Sequence, residues 1–191
     1  MEWAIDFGTT NSVVARAVDG SVQLVPLPQI GRALPTEQSP LIPTAVYVSD
    51  EWERFLWLFK RRKRHVLIGQ QAVSRNFDGQ SRGFAQTFKR YLGGQSHRNI
   101  ARVGETDLTV RDVAHHFLEE LIQTIEREHK VRVTSLTIPA PVGYYENYRA
   151  ELQAIAKGLG IKRFRSLDEP VAAALGYGIN VSREELLLVF D

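Results

Sequence analysis

The stretch MEWAIDFGTTNSVVA, residues 1–15, decides the fold of this chain. An apolar run through Trp3 and Ile5 stops at a short polar segment, and a second apolar run leaves through Val13 and Val14. Two apolar runs separated by a glycine-containing turn are typical of a β-hairpin. The stretch therefore predicts two paired strands with residues 6–11 at the tip.

The predicted tip has the chemistry of a phosphate site. Gly8 has no side chain, so an anion can approach its backbone closely. The amides and hydroxyls of Thr9 and Thr10 supply further donors, and Asn11 completes the turn. Asp6 would repel a bare phosphate, but it fits a hydrated Mg²⁺ lying between carboxylate and phosphate. An ordinary turn rich in Gly, Thr and Asn explains the same residues equally well.

The rest of the chain alternates strands and helices after one insertion. Strand patterns cover residues 21–27, 45–48, 133–138, 163–167 and 186–190, and helical patterns cover residues 70–77, 109–125, 146–157 and a segment starting at Asp168. Thr109 and Asp112 form a capping-box-like start, and residues 95–107 have the composition of a polar loop. Hairpin-connected strands followed by right-handed crossovers predict an α/β protein with a mixed sheet and flanking helices.

Residues 52–65 are the oddest segment. Five apolar residues, 55–59, are followed at once by five cations, 60–64. Such a run can grip nucleic acid or an anionic membrane, but an extended hairpin with a solvated tip has the same composition. We favour the hairpin, because the formal net charge of the whole chain is only +2.

Composition excludes several classes of protein. With 43% hydrophobic and 24% charged residues among 191, the chain resembles a soluble globular protein. It has no cysteine, which excludes disulfides and thiolate metal sites and suits a reducing compartment. His115 and His116 lie beside Glu119 on the polar face of a predicted helix, where a solvated surface is a simpler explanation than a metal site. We find no signal peptide and no run long enough to span a membrane.

The motifs together resemble the actin-like ATPase superfamily, and within it the DnaK-type chaperones, the seventy-kilodalton heat-shock family. The matching segments occur in family order and cover nearly the whole chain: DFGTTN (6–11), LIPTAV (41–46), VLIGQQA (66–72), FKRYLG (88–93), LTIPA (136–140) and LDEPVAAALGYG (167–178). Phe7 stands where the family usually has Leu or Ile, so the chain resembles a divergent member. The resemblance implies a ribonuclease-H-like, five-stranded mixed sheet with flanking helices and a small α+β insertion subdomain.

The resemblance also implies roles for individual residues. Lys89 would be the catalytic lysine beside the γ-phosphate of ATP, with Glu169 near the waters of Mg²⁺. Asp6 and Asp191 would hold that metal through water from two equivalent hairpins, because the strand before Asp191 echoes the one before Asp6. Gly8, Thr9, Thr10 and Asn11 would bind the phosphates of ATP or ADP. Pro139 would match the switch proline that senses the nucleotide, although proline also ends strands routinely.

On this resemblance the chain is the first lobe of a nucleotide-binding domain. Residues 1–40 and 109–191 would form the core and residues 41–108 the inserted subdomain, with the second lobe and any substrate-binding domain absent. We expect a cytoplasmic chaperone whose Mg-dependent ATP hydrolysis drives folding of unfolded clients with co-chaperones, and no nucleic-acid or membrane partner. The isolated chain is expected to be inactive. The alternative is a non-catalytic interaction or scaffold module that keeps the fold.

Overall fold

The computed structural model describes residues 2–32, 39–55, 59–142 and 145–176. The predicted last strand, residues 186–190, and Asp191 lie outside the described residues. In chain order the strands and helices are β1 (Glu2–Phe7), β2 (Asn11–Val18), β3 (Ser21–Leu24), β4 (Ile42–Pro43), β5 (Ala45–Phe55), β6 (Phe59–Ile68), α1 (Gly69–Arg75), β7 (Phe84–Gln86), a 3₁₀ helix (Phe88–Tyr91), β8 (Asn99–Val103), β9 (Thr106–Thr109), α2 (Val110–His129), β10 (Ser135–Thr137), α3 (Tyr145–Gly158), β11 (Arg163–Arg165) and α4 (Glu169–Gly176).

The main sheet has the predicted mixed α/β architecture. Five strands follow the order β11-β10-β1-β2-β3, and β4 pairs with β2 beside this path. Strands β1, β10 and β11 run parallel, whereas β1, β2 and β3 form an antiparallel meander. Parallel strands need crossover connections, and α2 and α3 lie in the connections that lead to and from β10. This arrangement confirms the mixed sheet with flanking helices.

The predicted first hairpin is present, but its tip is shorter than the predicted residues 6–11. Asp6 pairs with Val13 and Phe7 with Ser12, so residues 8–10 form the turn. Ile5, Phe7 and Val14 point into the core, where each is fully buried. The alternation of buried and less buried residues along β1 is the period of two that a half-buried strand requires.

The insertion contains a second sheet, ordered β6-β5-β7. Strands β5 and β6 pair without interruption from Val46↔Ile68 to Phe55↔Phe59, which confirms the extended hairpin. The prediction of a polar loop over residues 95–107 was wrong, because β8 and β9 form a second hairpin there. In this hairpin, exposed polar residues alternate with the buried Ala101, Val103 and Leu108. The alternation is only a few residues long and includes charged residues, so the sequence pattern did not indicate strands.

The long helix α2 anchors the core. The Thr109 side chain accepts from the Asp112 amide and the Asp112 carboxylate accepts from the Thr109 amide, so the predicted capping box is present. Phe117, Leu121 and Ile125 are fully buried on one face of α2, as their helical spacing predicts. Among the described residues, no helix is long and apolar enough to cross a membrane.

Candidate functional site

The tip of the first hairpin is shaped by Gly8. A Cβ atom built on Gly8 would lie 2.1 Å from the carbonyl oxygen of Asn11, so no other residue fits this turn unchanged. Thr9 and Thr10 are exposed at the tip, and Asp6 is exposed at the end of β1. The Oδ1 atom of Asn11 is buried and has no hydrogen-bond partner among the described residues. The turn thus presents an accessible backbone and two hydroxyls beside a carboxylate.

Thr44 clamps this tip from the insertion. Its hydroxyl donates to the Gly8 carbonyl at 2.8 Å and lies 2.9 Å from the Ser12 hydroxyl. Its amide donates to the Thr10 carbonyl, also at 2.8 Å. Ser12 and Thr44 are buried. The sequence did not indicate either residue. Thr44 contacts Gly8 across 36 positions of the chain, and no local pattern signals such a contact.

Lys89 and Glu169 form a close ion pair. Lys89 Nζ donates to Glu169 Oε1 at 2.6 Å, and Lys89 is a largely buried residue, with 9% of its surface exposed. Glu169 is the first residue of α4, where the helix dipole favours a carboxylate. The preceding Thr87 has φ 55°, a left-handed conformation that is costly for a β-branched residue. The 3₁₀ helix that follows Thr87 carries both the fully buried Phe88 and Lys89.

Three aromatic rings pack together around Phe88, the residue before Lys89. Phe7 stacks on Phe117 with ring centroids 5.5 Å apart, and Phe88 lies 6.0 Å from both rings. The three rings join the first hairpin, the 3₁₀ helix and α2 in one packed cluster. Phe7, where the family usually has Leu or Ile, therefore has a packing role, because its ring contacts the rings of Phe88 and Phe117.

Tyr148 links Asp6 to the ion pair, and sequence reasoning did not identify it. Lys89 Nζ lies 5.9 Å from the centre of its ring. Burial raises the pKa of Tyr148 above its usual range, and the negative charges of Glu169 and Asp6 raise it further. The Tyr148 phenol thus lies near the Lys89–Glu169 pair, and the Asp6 carboxylate is near enough for its charge to act on the phenol. The phenol remains protonated at neutral pH.

Gly93 lets Tyr148 approach the site. Gly93 has φ 90°, and a Cβ atom there would lie 2.8 Å from the Tyr148 amide nitrogen. A side chain would thus push α3 away from the segment that follows Lys89. This is the physical reason for a glycine four residues after the lysine of the FKRYLG segment.

Pro139 lies directly before a residue that is bonded to Glu169. The Ala140 carbonyl accepts from the Glu169 amide at 3.0 Å, and the Ala140 amide donates to the Leu167 carbonyl at 2.8 Å. A shift of the chain at Pro139 would therefore move the start of α4. The structure brings Lys89 and Glu169 into contact and links Glu169 to the residue after Pro139, whereas Asp191 is outside the described residues.

The register of the β5–β6 hairpin places three of the five cations at positions 60–64 opposite acids, whereas Lys60 lies opposite Arg54. Arg64 lies opposite Asp50, Lys63 opposite Glu51 and Arg61 opposite Glu53. The first of these pairs is a contact of 3.3 Å between Arg64 Nε and Asp50 Oδ1. Opposite charges across a strand pair attract each other and neutralise the local field. The basic run is therefore partly compensated within its own hairpin, which a linear reading of residues 60–64 does not show.

Comparison with known proteins defines the class. The sequence profile of the family described as "Hsp70 protein" matches residues 3–191, so the chain belongs to the Hsp70 family. Chaperone protein HscA homolog of Rickettsia felis is 26% identical over 193 residues, which are 98% of this chain and 28% of that protein. Chaperone protein dnaK of Cyanophora paradoxa is 25% identical over 193 residues, covering 98% of this chain and 30% of that protein. The chain thus spans about three-tenths of the length of these relatives.

Proposed function

We propose that the chain is the ATP-binding first lobe of a divergent DnaK-type chaperone. In the intact protein, Mg-dependent hydrolysis of ATP would drive the folding of unfolded client proteins with the help of co-chaperones, in the cytoplasm. The observation that carries the proposal is the close Lys89–Glu169 pair in a chain whose first hairpin has an exposed tip shaped by Gly8.

The residues present fit a magnesium nucleotide. The exposed Thr9 and Thr10 and the backbone at Gly8 offer donors to phosphate oxygens. Asp6 would hold Mg²⁺ through water, and Asp191 is proposed as its counterpart. The orphaned Oδ1 atom of Asn11 is a polar group that a ligand or a water molecule could satisfy. Mg²⁺ would neutralise phosphate charge during transfer to water.

Lys89 and Glu169 would supply the protein's part of the chemistry. Lys89 is held by Glu169 and kept largely out of water, so its charge acts in a medium of reduced dielectric. An ammonium in such a position stabilises charge that develops on phosphate oxygens and orients the attacking water. Glu169 positions the ammonium, and the Ala140–Glu169 hydrogen bond ties this pair to Pro139, which we propose as the nucleotide-sensing switch.

The test is a Lys89→Ala variant of the intact protein that contains this chain. Steady-state ATP turnover should fall about 10²–10³-fold, the usual effect of removing one preorganised donor, while nucleotide affinity changes little. Arg90→Ala is the matched control, because Arg90 is the exposed neighbour in the same 3₁₀ helix. Full turnover in Lys89→Ala would remove Lys89 from the mechanism. Absence of nucleotide binding by the unaltered intact protein would favour the scaffold alternative.

A further inference from the structure

A second polar cluster lies on α2 and does not include the Lys89–Glu169 ion pair. His115 Nδ1 is 3.7 Å from Glu119 Oε2, and His116 Nδ1 is 3.9 Å from the same oxygen. One ligand atom of each residue lies within 4.8 Å of the other two. Among the described residues, these three are the group of histidine and carboxylate side chains close enough together to hold one metal ion.

The spacing of the three residues explains why they meet. His115 and Glu119 are four positions apart and His116 and Glu119 are three apart, so both pairs share one helix face. The helix is 20 residues long with a capping box at its start, so the backbone under the cluster is rigid. The side chains of His115 and Glu119 are more than one-third exposed, so an ion can reach them from solvent, whereas His116 is the more buried member of the cluster.

The distances suit an ion better than direct hydrogen bonds. Separations of 3.7 and 3.9 Å exceed the usual hydrogen-bond range, so neither imidazole bonds the carboxylate directly. The Nδ1 atom of His116 is buried and has no hydrogen-bond partner. Two ligands about 2.0–2.1 Å from one tetrahedral ion are themselves separated by roughly 3.4 Å. A small inward movement would therefore place all three ligand atoms around one cation.

The surroundings carry charges of both signs. Asp112 and Glu119 favour a positive charge at His116, whereas Arg64 of β6 opposes one. His115 Nε2 points toward the end of α3, since a Cβ atom on Gly158 would lie 3.9 Å from it.

We propose that His115, His116 and Glu119 bind one divalent first-row transition-metal ion, with water in the remaining coordination positions. Two imidazoles and one carboxylate are ligands that suit Zn²⁺, Co²⁺ or Ni²⁺, whereas Mg²⁺ prefers oxygen ligands alone. The site is therefore chemically distinct from the proposed Mg²⁺ position near Asp6. It does not depend on the proposed ATPase function.

The test is a zinc titration of the intact protein against a chromophoric chelator, without nucleotide. The unaltered protein should bind one equivalent of zinc. In His115→Asn, His116→Asn and Glu119→Gln the affinity for zinc should be at least about tenfold lower. His97→Asn and Glu105→Gln are matched controls at exposed positions and should bind zinc normally. Unchanged zinc binding in Glu119→Gln and His115→Asn would overturn the proposal, as would the absence of zinc binding by the unaltered protein.

A second measurement uses Co²⁺ as the probe. Cobalt held four-coordinate by two imidazoles, a carboxylate and one water gives intense visible d–d absorption, which octahedral aqueous Co²⁺ shows only weakly. The absorption should appear at one equivalent in the unaltered protein and be missing in Glu119→Gln, whose side chain keeps its volume. If His116→Asn does not fold, this spectrum and the more exposed His115 and Glu119 still decide the question. A full cobalt spectrum in Glu119→Gln would contradict the proposed ligand set.

Discussion

Lys89 Nζ donates a hydrogen bond of 2.6 Å to Glu169 Oε1 across a separation of 80 positions in the chain. The insertion supplies the lysine and the last described helix supplies the carboxylate. Because Lys89 is largely buried, its charge would be costly without this partner. The pair therefore holds the two parts of the molecule together and keeps a cation ready beside the hairpin tip.

Glu169→Gln should lower the free energy of unfolding by about 1–2 kcal/mol. The amide keeps the shape of the side chain but removes the charge that compensates Lys89, and the partial exposure of Glu169 limits the loss. Urea unfolding checks this, with the exposed Glu105→Gln as the control. Equal stability of Glu169→Gln and the unaltered protein would show that the ion pair contributes nothing to folding.

Gly93→Ala and Gly94→Ala form a matched pair of adjacent substitutions. At Gly93 the added methyl meets the Tyr148 backbone at 2.8 Å and the backbone has φ 90°, so we expect a destabilisation of about 2–4 kcal/mol. At Gly94 nothing lies within 4 Å of the added methyl, so the change should stay within about 0.5 kcal/mol. Thermal unfolding of both variants measures the difference. Similar melting temperatures would mean that Tyr148 does not pack as described.

Thr44→Val should weaken the hairpin tip, although the valine side chain has nearly the same volume as threonine. The substitution removes the donor to the Gly8 carbonyl and the partner of the buried Ser12 hydroxyl, at a cost of about 1–3 kcal/mol. Nucleotide affinity of the intact protein should fall as well, because the tip loses its support. Thr106→Val, at an exposed strand position, is the control for denaturant unfolding and nucleotide titration. A stable Thr44→Val variant with normal affinity would contradict the clamp.

The parts of the fold that local patterns specify were predictable. The first hairpin follows from two apolar runs around Gly8, and the start of α2 follows from Thr109 and Asp112. Both signals lie within a few residues of the structure that they produce. The short β8–β9 hairpin failed because charged residues between its buried positions masked an alternation only a few residues long.

The candidate site depends on contacts that no local pattern contains. Resemblance to a family named Lys89 and Glu169, but their contact joins segments that are 80 positions apart in the chain. Tyr148 and Thr44 reach the site through tertiary packing between separate segments. Such residues can be assigned to the site only from the three-dimensional structure.

The β5–β6 hairpin should not bind polyanions at physiological salt. Asp50 and Glu51 lie opposite Arg64 and Lys63 and offset part of the positive charge, and screening over about 8 Å weakens what remains. Heparin chromatography and sedimentation with anionic vesicles test this. Removing two of the acids with Glu51→Gln and Glu53→Gln should create salt-sensitive binding.

The control for this double substitution has the same change of charge at exposed positions elsewhere, Glu105→Gln with Glu146→Gln. If that control binds heparin equally well, the net charge of the chain matters and not the hairpin register. Strong binding by the unaltered protein would show that residues 60–64 form a docking patch, and would revive the interaction-module alternative.

A polypeptide of residues 1–191 alone should bind ATP weakly and hydrolyse it at no meaningful rate. It corresponds to 28–30% of the length of the relatives, so contacts made by the rest of such a protein are missing from it. Asp6, Thr9 and Thr10 are exposed, and charges that face water interact with phosphate severalfold more weakly than charges in a closed site. The binding energy that would orient the terminal phosphate against Lys89 is correspondingly small. Calorimetry with ATP and Mg²⁺, followed by a phosphate-release assay, measures both quantities, and micromolar affinity or steady turnover would show that these residues already form a complete site.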